Sequence, residues 1–344
     1  MTPGSTTFRP PWWGRSAHVQ TIWAAVRPRP RLPLRRERIE TPDGDFVDLD
    51  WTDGPAGTPL LLVLHGLEGS ARSHYVTALI EAGRARGWRA VTLNFRSCSG
   101  ELNRLPRFYH SGDTGDLDHV VRTLLDDEPG VRLGLVGVSL GGNVLLKWLG
   151  EQSDAAPPAI VGAVGISVPF DLAACARRLD RGVQRRIYTA NFMRTLRDKV
   201  ADKARHYPGF VDVDAARRAR TFTEYDRVVT APLGGFADEV DYWTRSSSGP
   251  YLPRIRRPTL LLSARDDPFV PPASLPDPRG LPPAVVADYQ DRGGHAGFLE
   301  GRWPWRARGW VEPRALEFLT RCLGRMAGAP HDAPGDGTPD GGTP

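Results

Sequence analysis

The sequence predicts an α/β protein with a mostly parallel, doubly wound sheet that is interrupted by a helical cap insertion. Short apolar runs alternate with helix-length segments, as they do where crossover helices connect parallel strands. Several runs, such as LLLVL at 60–64, are apolar on both faces, which is typical of strands covered by helices on both sides. The alternation stops near residue 171 and resumes near residue 259, and this interruption predicts the insertion.

Seven apolar runs bounded by turn residues are candidate strands of this sheet. They are residues 46–51, 60–64, 90–95, 133–138, 160–167, 259–264 and 285–289. Helical periodicity fills several intervals between them, at 75–86, 116–126 and 142–152. The pattern therefore predicts one core built from residues 41–170 and 251–326, and a chain of 344 residues is long enough to bury it.

Three further segments differ from this core in composition. Residues 1–40 are rich in tryptophan, proline and arginine, so we expect an extended arm without regular structure. Residues 171–250 are rich in arginine and helical in character, and they predict a cap over one edge of the sheet. Residues 327–344 are almost entirely turn-forming, and we expect a disordered tail.

The overall composition is that of an ordinary globular protein, with 40% hydrophobic and 25% charged residues. Cys98, Cys175 and Cys322 are widely spaced and match no metal site or disulfide framework, which favours a reducing compartment. The N-terminus lacks the apolar segment of a secretory signal. The longest apolar stretch, 159–170, is about half of the roughly 20 residues that a membrane span needs. We therefore expect a cytoplasmic protein.

Positive charge is concentrated in two segments of a chain whose formal net charge is +5. Residues 1–40 hold eight arginines against two glutamates, and residues 177–205 hold ten lysines and arginines against three aspartates. Solvated helix faces have this composition, and so do surfaces that make peripheral contact with anionic membranes. No recognition motif accompanies the charge, so nucleic acid is not an expected partner.

The clearest chemical motif is GVSLG at 137–141, which has the form GxSxG. An apolar strand precedes it and a helical pattern follows, and this is the context of a nucleophile elbow. So sharp a turn brings neighbouring backbones close, and only small residues fit two positions to either side. Ser139 is therefore the candidate nucleophile. A helix-capping serine is the structural alternative, and a dinucleotide-binding loop fits poorly because the glycine spacing contains no GxG.

A serine hydroxyl needs a general base, and hydrolases with this elbow carry their residues in the order Ser, acid, His. Three histidines follow Ser139 in the sequence. His206 lies in the predicted cap and His331 in the predicted tail, which leaves His295. This histidine lies in the glycine-rich sequence DRGGHAGF just after the last strand, where the base of such a hydrolase belongs. A structural loop histidine is the alternative.

The acid that orients the histidine should follow strand 259–264, where Asp266 and Asp267 are adjacent. Asp267 lies three residues beyond the end of the strand and three before a Val-Pro pair, which is the usual arrangement. We therefore select Asp267, although Asp266 remains open. The aspartate that is not the acid should be an N-cap or turn residue.

The negative charge that develops during acyl transfer needs preorganised hydrogen-bond donors. The first predicted donor of this oxyanion hole is the backbone N–H of Leu140, directly after the nucleophile. The second is the backbone N–H of Leu67, in the sequence HGLEG that follows strand 60–64. His65 in the same sequence is expected to brace the loop, and direct participation in catalysis is the alternative.

Seven stretches in chain order carry a resemblance to a known family. They are PPWWGRSAHVQTIW, HGLEGS, NFRSCSGE, YHSGDTGDLDHVV, GVSLGGN, ARDDPF and GGHAGF. In these stretches the chain resembles the YheT-like branch of the α/β-hydrolases, which includes the mammalian α/β-hydrolase-domain lipases. The resemblance implies an α/β-hydrolase fold, a triad at Ser139, Asp267 and His295, and hydrolysis of short-chain esters or monoacylglycerols. One departure is Ser97, where the family more often has glycine in a tight turn.

Two stretches of the resemblance have no assigned chemistry. In YHSGD at 109–113, Ser111 or Asp113 fits the N-cap of the following helix, and a place in the wall of the site is the alternative. The sequence HVQT at 18–21 is expected to be a packing element of the arm.

The sequence thus predicts a serine esterase that works through an acyl-enzyme on Ser139, with an ester or lipid-like small molecule as its substrate. It implies no cofactor and no metal, because the motifs HExxH, CxxC and GxxxxGKS/T are absent. Thioester or amide cleavage and acyl transfer to an alcohol are alternatives on the same residues. A non-catalytic binding protein is a further alternative, against which the presence of all three triad residues argues.

Overall fold

The computed structural model describes residues 7–27 and 32–328. The strands of its main sheet are β1 (Arg35–Glu40), β2 (Phe46–Thr52), β3 (Leu60–Leu64), β4 (Arg89–Asn94), β5 (Leu133–Val138), β6 (Ile160–Ile166), β7 (Thr259–Ala264) and β8 (Val285–Gln290). Their order across the sheet is β1-β2-β4-β3-β5-β6-β7-β8. Strands β3 to β8 pair in parallel, whereas β2 pairs antiparallel with both β1 and β4. A separate hairpin joins β9 (Leu299–Glu300) to β10 (Arg308–Gly309).

Helices flank the sheet and fill the interval between β6 and β7. They are α1 (Ala17–Val26), α2 (His74–Arg84), α3 (Gly115–Asp127), α4 (Leu140–Gln152), α5 (Leu172–Leu179), α6 (Gly182–Gln184), α7 (Ala190–Ala204), α8 (Val213–Arg218), α9 (Phe222–Tyr225), α10 (Ala231–Gly234), α11 (Glu239–Ser246) and α12 (Val311–Gly328). Single π-helical turns at Arg185–Thr189 and Asp226–Thr230 connect α6 to α7 and α9 to α10. No helix in the described part of the chain is long and apolar enough to cross a bilayer.

The core has two layers because alternate residues of a strand face opposite sides of the sheet. Leu60, Leu62 and Leu64 of β3 pack in a cluster with side chains of α3 and α4. Leu61 and Val63 pack in a second cluster with side chains of α2 and α12. All five residues of β3 are buried, which explains its continuous apolar run. The predicted doubly wound, mostly parallel architecture is confirmed.

The seven predicted strands are present with ends that differ by at most one residue. The extended arm predicted for 1–40 is wrong in part, because the described residues of this segment include α1 and β1. Its prolines flank α1 without entering it, so residues 17–26 are free to be helical. Strand β1 reads RRERIE and lacks apolar alternation, but Arg36 and Arg38 pair with Asp50 and Asp48 of β2.

The segment between β6 and β7 holds α5 to α11, in the region predicted to form the cap. Its apolar side chains form a cluster of their own that includes Leu179, Met193, Val200, Tyr225 and Trp243. The predicted tail lies outside the described residues, except that residues 327–328 complete α12.

A buried lysine of the cap supports the tight turn that follows β4. Ser97 lies in the left-handed region with a φ of 64°, and its hydroxyl donates to Asn103 Oδ1 at 2.6 Å. Lys203 Nζ donates to the same oxygen at 2.6 Å and to the main-chain oxygen of Leu105 at 2.5 Å. The turn thus accommodates serine in place of glycine, and part of the positive charge of residues 177–205 is internal.

Candidate active site

Ser139 lies at the sharp turn between β5 and α4, in a strained conformation with φ of 55° and ψ of −122°. Its N–H donates to Ile166 O on the neighbouring strand at 2.8 Å, which fixes the turn to the sheet. A Cβ atom on Gly137 would lie 2.4 Å from Gly141 O, and one on Gly141 would lie 2.4 Å from His65 O. The close backbones around the turn therefore require glycine at both positions.

The structure brings Ser139, His295 and Asp267 into one hydrogen-bonded line. His295 Nε2 lies 2.9 Å from Ser139 Oγ, and His295 Nδ1 lies 2.8 Å from Asp267 Oδ2. The Asp267 carboxylate is fully buried, and its Oδ1 accepts backbone N–H groups from Phe269 at 2.7 Å and Val270 at 3.2 Å. A carboxylate at Nδ1 places the imidazole proton there, which leaves Nε2 free to accept the serine proton.

The adjacent aspartate contacts the backbone of the histidine loop. Asp266 Oδ1 accepts the N–H of Gly294 at 2.9 Å. Burial and the nearby charge of Asp267 raise the pKa of the Asp266 carboxyl, against the hydrogen bond from Gly294. Of the two candidate acids, Asp267 thus contacts the imidazole ring of His295, and Asp266 contacts the backbone N–H of Gly294.

Helix α1 supports the loop that carries His295. The N–H of His295 donates to Thr21 Oγ1 at 2.9 Å, and the Thr21 hydroxyl donates to Ala17 O at 2.9 Å. Gly294 has a φ of 62°, and a Cβ atom there would lie 2.5 Å from Ala17 O. The loop therefore depends on glycine to approach the helix this closely.

A second polar side chain of α1 holds the far end of the same loop. Gln20 is fully buried, and its Oε1 accepts the N–H of Leu299 at 2.6 Å. Its Nε2 donates to Leu299 O at 3.1 Å and to Gly14 O at 2.8 Å. The HVQT sequence is thus a packing element, as predicted, but its partner is the histidine loop, which sequence reasoning missed. The pair of polar residues inside an otherwise apolar helix was the available signal.

Aromatic side chains cover one face of the imidazole. The Phe269 ring stacks on His295 with centroids 4.0 Å apart and planes 20° apart. Tyr188 of the cap meets Phe269 edge-on at 4.7 Å, and its hydroxyl lies 2.8 Å from His18 Nδ1. The arm, the cap and the loop after β7 therefore meet beside the histidine.

The loop after β3 is clamped on both sides of Leu67. The N–H of Gly66 donates to the Tyr75 hydroxyl at 2.8 Å, and the N–H of Glu68 donates to the Tyr109 hydroxyl at 2.8 Å. Glu68 has a φ of 56°, a left-handed conformation that the Tyr109 contacts hold in place. These two tyrosines restrict the position of the Leu67 peptide. Tyr109 begins the YHSGD stretch, whereas no motif in the sequence indicated Tyr75.

The two predicted oxyanion donors lie beside the nucleophile. A Cβ atom on Gly66 would come within 3.1 Å of Ser139 Cβ, so the Leu67 loop passes next to the serine. Leu140 is the first residue of α4, where a helix leaves N–H groups without intrahelical partners. Leu67, Leu140 and Ser139 line one cavity. The arrangement can present two peptide N–H groups to an oxygen bound near Ser139.

His65 braces this loop, in the manner that the sequence predicts. Its Nε2 accepts the N–H of Phe95 at 3.1 Å, so Nδ1 carries the proton and donates to Gly66 O at 2.8 Å. Complete burial lowers the pKa of His65 to about 4, and the ring is neutral near pH 7. Both ring nitrogens are committed to the backbone.

The cavity beside Ser139 lies between the sheet edge and the cap. Its empty volume, including the open mouth, is about 1150 Å³. Most of its wall is apolar and comes from the cap, with Leu179, Phe192 and Leu196 as examples. A space of this size and character accommodates an acyl chain next to the serine.

The YHSGD stretch contributes to this wall, and its predicted N-cap role is wrong. Helix α3 begins at Gly115 with Thr114 as its N-cap, because the turn at 111–113 extends the chain beyond Ser111 and Asp113. Ser111 lines the cavity, and its N–H donates to the Tyr242 hydroxyl of the cap at 3.0 Å.

The chain is similar to a known protein family and to several named proteins. A family model described as the α/β hydrolase fold matches residues 59–302. The chain is 38% identical over 325 residues to an Escherichia coli strain K12 protein named "Putative esterase YheT", and the match covers 93% of this chain and 94% of that protein. It is 31% identical over 308 residues to the Mus musculus phospholipase ABHD3, with coverage of 87% and 74%.

The chain is also similar to proteins of lower sequence identity. The chain is 30% identical over 294 residues to a Saccharomyces cerevisiae monoacylglycerol lipase, covering 83% of this chain and 63% of the relative. The solved esterase Pf2001 of Pyrococcus furiosus superposes with a TM-score of 0.53 at 19% identity, covering 84% of this chain and 92% of that one. The chain therefore belongs to the α/β-hydrolase family, within its YheT-like branch.

Proposed function

We propose that the protein is a serine hydrolase that cleaves carboxylic esters through an acyl-enzyme on Ser139. The observation that carries the proposal is the hydrogen-bonded line from Ser139 Oγ through His295 to the buried Asp267. A hydroxyl, a base with an accepting nitrogen and a carboxylate that fixes the tautomer are what acyl transfer requires.

In the first half of the reaction, Ser139 Oγ attacks the ester carbonyl and His295 Nε2 takes the serine proton. The carbonyl oxygen becomes an oxyanion and accepts hydrogen bonds from the N–H groups of Leu67 and Leu140. Asp267 stabilises the imidazolium that forms. As the tetrahedral intermediate collapses, Nε2 returns its proton to the leaving alcohol, and the acyl group stays on Ser139.

In the second half, water replaces the alcohol. His295 Nε2 takes one water proton as the oxygen attacks the acyl carbon, and a second tetrahedral intermediate forms in the same oxyanion hole. Its collapse releases the carboxylic acid and returns the proton to Ser139 Oγ. Atoms and charge balance over the cycle, which consumes one ester and one water.

We infer that the substrate is a short-chain or monoacylglycerol-type ester. The mostly apolar wall that the cap contributes favours an acyl chain next to Ser139. The names of the relatives, which include an esterase, a phospholipase and a monoacylglycerol lipase, support a lipid-like ester.

The test combines covalent labelling with turnover. We expect a fluorophosphonate probe to label the wild-type protein at Ser139, and Ser139→Ala to abolish labelling and lower kcat on p-nitrophenyl esters at least about 10³-fold. Ser274→Ala is the matched control, because the Ser274 hydroxyl only caps a turn on Pro271 O, and it should keep both properties. A series of acyl chains from acetate to laurate measures the preferred length.

Three results would contradict the proposal. Undiminished hydrolysis by Ser139→Ala would remove the serine from the mechanism. Absence of both labelling and turnover in the wild-type protein would favour a binding protein. Faster turnover of a matched thioester or amide, or transfer to an added alcohol in preference to water, would assign another reaction to the same residues.

A further inference from the structure

Helix α1 exposes three large apolar side chains and buries two polar ones. Val19, Ile22 and Val26 recur at helical spacing and are exposed, with 62% of Val26 accessible to solvent. Gln20 and Thr21 on the other face are buried against the histidine loop. A surface helix of a soluble protein ordinarily has the reverse arrangement, so the outer face of α1 is suited to an apolar environment.

Exposed tryptophans adjoin this face of the helix. The turn between β9 and β10 carries Trp303 and Trp305, whose rings stack 5.4 Å apart, and Trp305 is 74% exposed. Trp12 meets Trp303 edge-on at 6.3 Å. The turn is fixed to α1 because Trp23 Nε1 donates to Pro304 O at 3.0 Å.

The same surface continues onto the cap. The hydrogen bond between His18 and Tyr188 holds the turn Arg185–Thr189 against the N-terminal end of α1. Val183 and Ile187 beside this bond are both exposed. Eight of the ten large apolar side chains that are exposed in the described residues belong to α1, the tryptophans around the turn and this part of the cap. We call these eight the arm–cap surface.

The charge around the arm–cap surface is predominantly positive. Residues 7–27 and 301–308 contain six arginines and no acidic residue. On the cap side, Arg181, Arg185 and Arg186 are exposed beside Val183 and Ile187. Tryptophan and arginine around an apolar helix face form the composition of interfacial membrane-binding segments.

We propose that the arm–cap surface docks on an anionic lipid surface. Lipid headgroups complement the arginines, and the acyl boundary accepts the tryptophans and the apolar face of α1. The opposite face of α1 holds His295, so docking would bring the lipid phase close to the hydrolytic site. That consequence rests on the proposed function, whereas the docking itself does not.

The test measures cosedimentation with vesicles of equal parts phosphatidylcholine and phosphatidylglycerol, and with vesicles of phosphatidylcholine alone. At low salt we expect the wild-type protein to bind the anionic vesicles more tightly, with the difference fading at about 0.5 M NaCl. The pair Ile22→Ser with Val26→Ser, and separately Trp305→Ser, should each weaken binding about tenfold. Arg302→Glu with Arg306→Glu should abolish the preference for anionic vesicles.

Matched controls separate this surface from exposed apolar residues in general. Val240 and Met326 are exposed but lie outside the arm–cap surface, so Val240→Ser with Met326→Ser should bind as the wild type does. All of these variants should turn over p-nitrophenyl acetate within about twofold of the wild type, and Ser139→Ala should keep full vesicle binding. Failure of the hydrolase mechanism and failure of docking are therefore distinguishable.

The docking proposal is overturned if the wild-type protein ignores anionic vesicles at low salt, or if the control pair weakens binding as much as the arm–cap variants do. It is also overturned if the protein dimerises in solution and Trp305→Ser makes it monomeric without changing vesicle binding. In that case a second copy of the chain covers the surface.

Discussion

Asp266 and Asp267 both contact the loop that carries His295, at different residues. Asp267 Oδ2 receives the ring Nδ1 of His295, whereas Asp266 Oδ1 receives the N–H of the residue before it. The sequence spacing favoured Asp267, because a carboxylate three residues past the strand end is aimed along the sheet edge. The use of its neighbour as a backbone anchor could not be deduced from spacing, since it depends on where the histidine loop lies.

We expect Asp267→Asn to lower kcat far more than Asp266→Asn. An amide at 267 allows the wrong imidazole tautomer, which costs on the order of 10⁴ in the serine protease that serves as the general example. An amide at 266 still offers an oxygen to the Gly294 N–H, so we expect a loss below about tenfold. Steady-state hydrolysis of p-nitrophenyl butyrate measures both. The reverse ranking would transfer the role of the acid to Asp266.

The elements of the core were predictable and those of the arm were not. Buried parallel strands have continuous apolar sequences. For this reason the predicted bounds of β3, β5 and β7 match the structure at both ends. Helix α1 is held by partners far along the chain, such as Leu299, which pairs with Gln20 across 279 positions. Strand β1 pairs with the adjacent β2, but its sequence lacks the apolar alternation of a strand.

The candidate site likewise contains residues that the sequence predicts and residues that it does not. Ser139, Asp267 and His295 follow from motif and spacing, and the structure places all three within hydrogen-bond distance in one line. Their supports, among them Thr21 and Tyr109, come from distant segments, and the stretches HVQT and YHSGD that contain them do not show which loops they contact. Local sequence therefore indicates the three hydrogen-bonded side chains and gives little information about what holds them.

Replacing Thr21 of α1 tests whether the arm positions the histidine. Thr21→Val keeps the shape of the side chain but removes the acceptor for the His295 N–H, and an unsatisfied buried donor costs roughly 1–3 kcal/mol. We expect kcat to fall about tenfold with little change in KM. Thr21→Ser keeps the hydroxyl and should restore kcat.

Thermal unfolding separates positioning from general destabilisation, because it shows whether the fold of the two variants is intact. A positioning role also predicts that the loss in Thr21→Val falls on kcat and not on KM. Equal kcat losses in Thr21→Val and Thr21→Ser would argue against a role for the hydroxyl.

The stability of the whole molecule is affected by one buried carboxyl of the cap, that of Asp226. This group lowers the free energy of unfolding at neutral pH. Burial raises the pKa of Asp226 to about 7, helped by the charges of Asp180 and Glu239. Its two oxygens accept hydrogen bonds from Thr230 Oγ1 at 2.7 Å and Trp243 Nε1 at 2.9 Å, and these oppose the shift. The folded protein therefore keeps a proton on Asp226 at pH values where the unfolded chain has lost it.

The raised pKa of Asp226 makes the free energy of unfolding depend on pH. Between about pH 4 and pH 7 the native state binds one proton more than the unfolded state at Asp226, so the free energy of unfolding falls by about 1.4 kcal/mol per pH unit from this group. Asp226→Asn lacks this dependence, and its amide can donate to Thr230 Oγ1 while accepting from Trp243. We expect the variant to gain stability over the wild type as pH rises, and to keep that gain above pH 7.

Urea unfolding of the wild type and Asp226→Asn from pH 5 to pH 8 measures the difference between their free energies of unfolding. Other titrating groups contribute equally to both proteins, so their contributions cancel in this difference. Parallel profiles for the wild type and Asp226→Asn would show that the carboxyl is ionised in the folded protein throughout this range.

The support of the histidine loop by α1 also has a consequence for biosynthesis. The first described residues of the chain, including Phe8 and Gln20, bind residues that are synthesised much later, such as Gln290 and Leu299. A nascent polypeptide contains the Ser139 turn well before it contains His295 and Leu299, the partner of α1. On the proposed mechanism, a chain that terminates before residue 295 therefore carries Ser139 without its base.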